Sequence, residues 1–165
     1  MQTVTLDPTT IDFWIRICAT ILCGGIIGLE RQLRGKPAGI RTSILICLGT
    51  QVFIFLGLTL QDKNGDAARV LGQVITGIGF IGAGVIMGKK NIVKGVTSAA
   101  IIWVLAGIGS AIGLGYIGIA VALTLVTVGV LIGVEMLESS FRKLRRGVHA
   151  RHDQAVSGEF EKNVQ

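Results

Sequence analysis

The sequence predicts an all-α polytopic membrane protein, built as a bundle of five transmembrane helices. Half of the 165 residues are hydrophobic, only 16% are charged, and the mean hydropathy is +0.67. An ordinary globular domain carries about 25% charged residues, so this composition leaves too little polar surface for water. No acidic residue lies between Asp66 and Glu135. The 24 glycines lie largely inside apolar runs, as is common in membrane helices.

Five apolar runs have the length of about 20 residues that crosses the hydrocarbon core of a bilayer. They predict spans near 11–29, 41–60, 70–88, 96–114 and 116–137, within a transmembrane domain over residues 1–141. Residues 142–165 are predicted to form a short basic cytoplasmic tail that is mobile. We expect the first span to be retained, because its apolar stretch exceeds the roughly 7–15 residues of a signal peptide.

The distribution of Lys and Arg predicts the orientation of these spans. The first connection holds four, the third holds three and the tail holds six, whereas the opposite side holds two in all. This excess predicts that the N-terminus lies outside and the C-terminus lies in the cytoplasm. The net charge of +6 then belongs to residues that contact anionic lipid headgroups, and no nucleic-acid partner is expected.

Small residues recur along one face of the third predicted span, at Gly72, Thr76, Gly79 and Ala83. Because glycine disfavours a helix unless it allows close packing, we expect the third helix to be central and the most enclosed. The sequence does not determine whether this stripe packs against a helix of the same chain or of another copy. We expect a homo-oligomer, and specifically a dimer. The other glycines predicted to pack helices together are Gly24, Gly28, Gly84, Gly88, Gly109 and Gly113.

The G-x-G-x-x-G pattern at 77–82 lies in the same glycine-rich span. A dinucleotide site would need a strand before it and an acidic residue about 20 positions later, and the sequence offers neither. We therefore interpret these glycines as part of the helix packing.

Polar side chains within the spans are candidates for a functional site. Arg16 lies in the first span with Asp12 one turn earlier, so it either pairs within the bundle or extends towards the membrane surface. Gln73 and Thr76 share one face of the third span, and Thr97 lies where it would either cap the fourth helix or serve a site.

The first connection combines charge with helix-stopping residues. Glu30 and Arg34 have the spacing of an i,i+4 ion pair, and Gly35 with Pro37 is expected to end the helix. Arg41 begins the second span, where the helix dipole disfavours a cation. Glu30 or a lipid phosphate is the expected compensating charge. This segment is either a functional loop or a basic loop that only sets topology.

Three segments resemble the MgtC/SapB family of bacterial membrane proteins. They are GGIIGLERQLRGKPAGIRT at 24–42, DAARVLGQVITGIGFIGAGVIM at 66–87 and KGVTSAAIIW at 94–103. The resemblance implies a five-helix domain of the inner membrane, associated with magnesium limitation and, in pathogens, with virulence. Longer members add a cytoplasmic domain resembling ACT modules, so a short SapB-like form is expected here. Candidate functional positions on the family's motifs are Glu30, Arg31, Arg41, Thr42, Asp66, Arg69, Gln73, Thr97 and Trp103.

Two functions follow from these residues and from the resemblance. The favoured function is a non-enzymatic modulator of other membrane proteins, linked to magnesium homeostasis. The alternative is a small oligomeric transporter or channel for Mg²⁺ or another cation, with Arg16, Gln73 and Glu135 along its path. No catalytic residue set, phosphate-binding loop or metal-ligand cluster is apparent, so neither enzymatic activity nor a cofactor is expected. The expected partners are membrane lipids, further copies of the chain and another membrane protein.

Overall fold

The computed structural model describes residues 8–59, 67–89 and 92–140. Within these ranges the elements in chain order are α1 (Ile11–Leu33), α2 (Ile40–Thr59), α3 (Ala67–Gly84), β1 (Met87–Lys89), β2 (Ile92–Lys94), α4 (Val96–Gly113) and α5 (Ile117–Ser140). The chain divides into two compact units, residues 1–128 and 129–165. The predicted tail, residues 142–165, lies outside the described residues.

The prediction of a helical membrane protein is confirmed by the length and composition of the helices. Four helices of the described chain are long and apolar enough to cross a membrane, namely α1, α2, α4 and α5. The third apolar helix is shorter, with its apolar part at Ala68–Gly84.

The first helix continues four residues beyond its predicted end and stops where glycine changes the backbone direction. Gly35 adopts φ +61°, a left-handed conformation that glycine accepts without a Cβ penalty. The Lys36 N–H donates to the Arg31 carbonyl at 3.0 Å and the Gly35 N–H donates to the Gln32 carbonyl at 3.1 Å. These two bonds form a Schellman motif, which satisfies the last carbonyl groups of α1.

The third predicted span is wrong at its C-terminal end, because α3 stops at Gly84 and not at residue 88. Met87 pairs with Lys94, and Gly88 pairs with Val93, in an antiparallel hairpin of β1 and β2. Gly88 therefore cannot extend a helical packing face as predicted. An apolar run does not by itself distinguish helix from strand, and the β-branched residues after Gly84 favour the extended form.

The most enclosed helix is α4, so the prediction that α3 occupies this position is wrong. Helix α4 packs against α1, α2 and α3, and its buried side chains include Ile102, Leu105 and Ile108. Close approach to α2 depends on Gly109, where an added Cβ would clash with the Cys47 carbonyl oxygen. The centre of the bundle is thus formed by a helix that combines large apolar residues with small ones.

Glycine also brings α1 close to α2. A Cβ added to Gly24 would lie 3.0 Å from the Ile44 Cα, and one added to Gly28 would lie 2.6 Å from the Ile40 Cα. Gly113 on α4 approaches α2 similarly, since its Cβ would lie 2.9 Å from the Gln51 carbonyl oxygen. Both of these interfaces therefore need glycine.

The small-residue stripe of α3 is exposed in the single chain. Gly72, Thr76, Gly79 and Ala83 all lie on the surface, and a Cβ added to either glycine, or to Gly84, meets nothing within 4 Å. Helix α3 instead contacts α4 at Gly82, whose added Cβ would lie 3.6 Å from the Ala99 carbonyl oxygen, and its Ile78 is buried. The expected contact of the stripe with another helix is therefore not made by the residues that the structure describes.

Helix α5 presents most of its apolar side chains to the surroundings. Within residues 117–128 its buried positions are Ala120 and Thr124, whereas Leu125 and Val126 are exposed. Residues 129–140 continue the same helix, with Val130 and Val134 exposed. This pattern is typical of a helix whose outer surface faces lipid.

Candidate functional site

Three residues of the first half of α1 and one of α2 form a polar group that we name the Arg16 cluster: Asp12, Arg16, Thr20 and Gln51. All of them except the exposed Asp12 are buried. The Arg16 Nε donates to the Asp12 carboxylate at 2.7 Å, the i,i+4 pair that their spacing predicts. The Thr20 hydroxyl lies 2.9 Å from the Arg16 carbonyl oxygen, and it also hydrogen-bonds to the side-chain amide of Gln51 on α2. The cluster therefore ties α1 to α2.

Arg16 also binds the end of α4. Its Nη1 donates to the carbonyl oxygen of Ile112, in the last turn of α4, at 3.1 Å. The guanidinium lies beside Gly115, because a Cβ there would be 3.3 Å from Nη1. The C-terminal end of a helix carries partial negative charge and unpaired carbonyl groups, which favour a cation. Arg16 is only 8% exposed, and this geometry gives it a positioning role between α1 and α4.

A second buried group, which we name the Glu30 cluster, lies at the other end of α1 and consists of Glu30, Arg31, Arg34 and Ser98. Glu30 forms an ion pair with Arg34, and its carboxylate also lies 3.6 Å from the Arg31 Nη1. The Arg31 Nη2 donates to the Ser98 hydroxyl at 3.4 Å, which joins the end of α1 to the start of α4. One carboxylate thus balances two guanidinium groups.

The Glu30 cluster is electrostatically demanding because its members are desolvated. Glu30 is 8% exposed and Arg31 is 4% exposed. Both Glu30 carboxylate oxygens and the Arg31 Nε lack a hydrogen bond of good geometry among the described residues, although the carboxylate is ion-paired. Breaking a buried ion pair on one side costs about 3–5 kcal/mol, since the other charge stays buried. Such a cluster is a candidate site, since its charges respond strongly to any group that enters it.

An apolar layer separates the two clusters. It consists of Cys23 and Ile27 on α1, Cys47 on α2, and Ile102 and Leu105 on α4, each at most 4% exposed. From Thr20 to Glu30 the α1 axis advances ten residues, or roughly 15 Å. The two clusters are therefore separate buried sites in the described chain, with close-packed side chains between them.

The structure does not bring the other predicted site residues into either cluster. Glu30 pairs with Arg34 and Arg31, and no ion pair joins Arg41 to a carboxylate within the described ranges. Thr97 does not cap α4, because the N-cap residue is Gly95 and it makes no side-chain cap bond. Asp66 lies outside the described residues. The remaining candidates, which are exposed on helices α2, α3 and α4, are Thr42, Arg69, Gln73, Thr76 and Trp103.

Two of these candidates line a groove between α2 and α3. The groove has a volume of about 720 Å³, and Thr42 and Gln73 belong to its lining together with mainly apolar side chains. Gln73 therefore faces a different part of the molecule from Arg16, and the path predicted to include both is not formed in the single chain.

Three polar residues of the clusters are not among the candidate site residues that the sequence predicts, namely Thr20, Gln51 and Ser98. Thr20 follows Arg16 by four residues, so its place on the same helical face was a usable signal. Gln51 and Ser98 contact residues that are 31 and 67 positions away in the chain. The sequence contained no indication of those two contacts.

These features define a polytopic α-helical membrane protein with a buried charged cluster at each end of its first helix. Comparison with known proteins adds the family. The chain belongs to the MgtC family, whose family model matches residues 17–140. No solved structure matches the chain.

Three relatives show how far the similarity extends. The chain is 38% identical over 147 residues to the "Putative magnesium transporter YhiD" of Escherichia coli K12, covering 85% of this chain and 67% of that protein. It is 36% identical over 145 residues to an uncharacterized protein of Haemophilus influenzae Rd, covering 82% of this chain and 60% of that protein. It is 41% identical over 112 residues to "Protein MgtC" of Salmonella typhimurium LT2, covering 68% of this chain and 48% of that protein. The chain thus spans about half the length of the MgtC protein.

Proposed function

We propose that this chain is a non-enzymatic modulator that binds another membrane protein, in a physiology linked to magnesium limitation. The name of the YhiD relative supports the link to magnesium, and membership of the MgtC family supports the membrane setting. The proposed partner surface is the stripe of small residues on α3.

The observation that carries this proposal is the contrast between occupied and open glycine faces. Gly28 and Gly109 lie so close to α2 that an added Cβ would clash with its backbone. Gly72 and Gly79 also belong to a face of small residues on one helix, yet a Cβ added to either meets nothing within 4 Å among the described residues. Small-residue faces drive helix association in lipid because they let backbones approach closely. An open face of this kind is suited to a helix from another protein.

The apolar layer between the two clusters supports a modulator over a transporter that works as a single chain. An ion would have to pass Ile27 and Leu105, both of which are 0% exposed. Arg16 is bonded to Asp12 and to the Ile112 carbonyl, so it acts as a link between helices. Moving a charge through such a layer is expensive unless water enters it.

In this proposal α3 is the fifth transmembrane span. Its 18 residues are roughly 27 Å long, close to the hydrocarbon thickness of about 30 Å. The N-terminus lies outside the inner membrane, and the end of α1 that holds Glu30 lies on the cytoplasmic side. The Lys and Arg excess at the end of α1, in the hairpin and in the tail supports this orientation.

A test of the partner surface uses substitutions that the fold itself tolerates. Gly72→Leu and Gly79→Leu place a bulky side chain on the open stripe, and Gly107→Leu is the matched control because its Cβ also meets nothing within 4 Å. A deletion strain carrying each variant is grown at low Mg²⁺, and proteins crosslinked to the affinity-tagged chain are identified. The proposal predicts loss of growth support and of a crosslinked membrane protein in the stripe variants only. Stripe variants that behave as Gly107→Leu would refute it.

The second candidate is an oligomeric transporter, which the name of the YhiD relative supports and one structural feature favours. Gln73 and Thr76 expose polar groups on α3, as residues beside a pore between copies would do. Proteoliposomes that contain only the purified chain, loaded with a Mg²⁺ indicator and a pH indicator, distinguish the two functions. The modulator proposal predicts no flux from inserted, folded protein. Flux that Gln73→Leu and Arg16→Leu abolish, with both variants still folded, would establish transport.

A further inference from the structure

The groove between α2 and α3 has the form of a binding site for an apolar chain. Its volume is about 720 Å³, within the range of roughly 300–1,000 Å³ typical of small-molecule sites. Leu45 and Phe53 on α2 and Val74 and Ile81 on α3 supply apolar walls. The polar side chains of its lining are Thr42, Thr50 and Gln73.

Two glycines keep this groove open, and one contact closes its end. In the described part of the chain, a Cβ added to Gly49 or to Gly77 meets nothing within 4 Å, so neither position packs against a described helix. At the other end, Gly57 touches the side chain of Val70 so closely that an added Cβ would clash. The open part follows α2 from Thr42 to Phe53, eleven residues or roughly 16 Å.

This length identifies the kind of occupant. A transmembrane helix from a second copy needs about 30 Å, whereas one leaflet of the hydrocarbon core is about half of that. The length of the groove is close to the thickness of one leaflet, which is also the length that a single lipid acyl chain spans. At about 3.6 residues per turn, the groove-lining residues of α3 lie on the side of the helix opposite to the small-residue stripe, which consists of Gly72, Thr76, Gly79 and Ala83. The groove and the proposed partner surface are therefore separate.

Charge at one end of the groove points to the headgroup. Thr42 lines the end of the groove that is formed by the first turn of α2. The last turn of α1 and the first turn of α4 lie at the same end of the bundle, because Arg31 hydrogen-bonds to Ser98. Arg41, next to Thr42, is exposed and has no ion pair among the described residues, and Lys94 is exposed just before α4. The positive end of the α2 dipole makes an unpaired Arg41 unfavourable, so a neighbouring anion stabilises it.

We propose that this groove binds one acyl chain of an anionic glycerophospholipid of the cytoplasmic leaflet, with its phosphate beside Arg41 and Lys94. The apolar walls accept the chain, and the two cations accept the phosphate. The site does not depend on the proposed partner surface.

The test is native mass spectrometry of the full chain with phosphatidylglycerol, with phosphatidylcholine of the same acyl chains, and with glycerol phosphate. Gly49→Leu and Gly77→Leu fill the groove, and Gly107→Leu is the control at an open position outside it. We expect phosphatidylglycerol binding to fall about tenfold in the groove variants and to stay unchanged in the control. Arg41→Gln should lower the preference for phosphatidylglycerol over phosphatidylcholine about fivefold, and Arg69→Gln, at the start of α3, should not.

A second measurement does not depend on the stability of the variants. Phosphatidylglycerol with a photoreactive group on its acyl chain is crosslinked to the unaltered chain, and we expect labelled peptides to include Phe53 and Ile81. Equal phosphatidylglycerol binding in Gly77→Leu and Gly107→Leu would overturn the proposal, as would labelling confined to α5. If glycerol phosphate displaced phosphatidylglycerol at equal concentration, the chain would recognise the phosphate alone, and this result would overturn the acyl-chain site. A dimer that Gly77→Leu abolishes would assign the groove to a second copy instead.

Discussion

Gly109 provides the sharpest test of how α4 is held at the centre of the bundle. An alanine Cβ at this position would clash with the Thr50 hydroxyl and the Cys47 carbonyl oxygen, and it would lie 2.9 Å from the Cys47 Cα. Ordinary contacts begin at 3.4 Å, so α2 and α4 must separate by at least ~0.5 Å to accept it. Gly109→Ala should therefore destabilise the fold.

The size of the effect follows from two opposing contributions. Overpacking a close interface costs about 1–3 kcal/mol, and the upper part applies because the contacted atoms belong to backbone. Alanine favours a helix over glycine by up to about 1 kcal/mol. We therefore expect a net destabilisation of about 1–2 kcal/mol. Gly107→Ala, on the same helix with open space around it, should be neutral or stabilising by up to about 1 kcal/mol.

The assay is reversible unfolding of the purified chain in mixed micelles with increasing dodecyl sulfate, followed by circular dichroism. The double variant Thr50→Ala/Gly109→Ala should remain destabilised, because the Cys47 carbonyl oxygen still opposes the new Cβ. If Gly109→Ala unfolds at the same detergent fraction as Gly107→Ala, the close α2–α4 approach is wrong. Full rescue by Thr50→Ala would show that only the side chain was in the way.

Three further predictions use the same preparation. Glu30→Gln should cost about 3–5 kcal/mol in that unfolding assay, because the buried Arg31 guanidinium then has no carboxylate partner among the described residues. Asp12→Asn should cost less than about 1 kcal/mol, because the amide oxygen still accepts a hydrogen bond from the Arg16 Nε and Arg16 keeps the Ile112 carbonyl. Equal losses would contradict this difference between the remaining partners of Arg16 and Arg31. Gly95→Ala should lower stability by more than about 1 kcal/mol, because Gly95 has φ +92° and an added Cβ would be 3.0 Å from the Val85 carbonyl carbon. In a chain whose three cysteines are replaced by alanine, a membrane-impermeant maleimide added to intact spheroplasts should label Thr9→Cys but not Lys36→Cys, and the reverse pattern would overturn the proposed orientation.

The helix boundaries were largely predictable, because the hydropathy of a segment and the glycine and proline residues that end helices are local properties of the sequence. The predicted spans at 41–60 and 96–114 differ from α2 and α4 by one residue at most at each end. Gly35 stops α1 through its own backbone conformation, which is a local property. The hairpin after Gly84 was not predictable, because the apolar run of the third span continues through residue 88 and such a run suits both a helix and a strand.

The identity of the central helix was not predictable, because glycine spacing describes only one of the two surfaces in an interface. Gly28 and Gly79 both belong to small-residue faces in the sequence. A Cβ added to Gly28 would clash with the backbone of Ile40, whereas one added to Gly79 meets nothing within 4 Å among the described residues. The difference between the two glycines lies in the helix surface that each one faces. The sequence of the third span alone contains no information about that opposing surface. The contacts of Gln51 and Ser98 were unpredictable for the same reason.

The buried charges show why the two clusters should be assigned different roles. Arg16 has a carboxylate at 2.7 Å and a helix-terminal carbonyl at 3.1 Å, so its hydrogen bonds hold α1 against α4 without another molecule. Arg31, by contrast, has an Nε without a hydrogen-bond partner in the described part of the chain, and the Glu30 oxygens beside it also lack hydrogen bonds of good geometry there. A charge that is ion-paired yet poorly hydrogen-bonded gains from any rearrangement that supplies a donor or an acceptor. A change at the Glu30 end of α1, such as the proposed lipid binding near Arg41, would therefore act on the Glu30 cluster more strongly than on the Arg16 cluster.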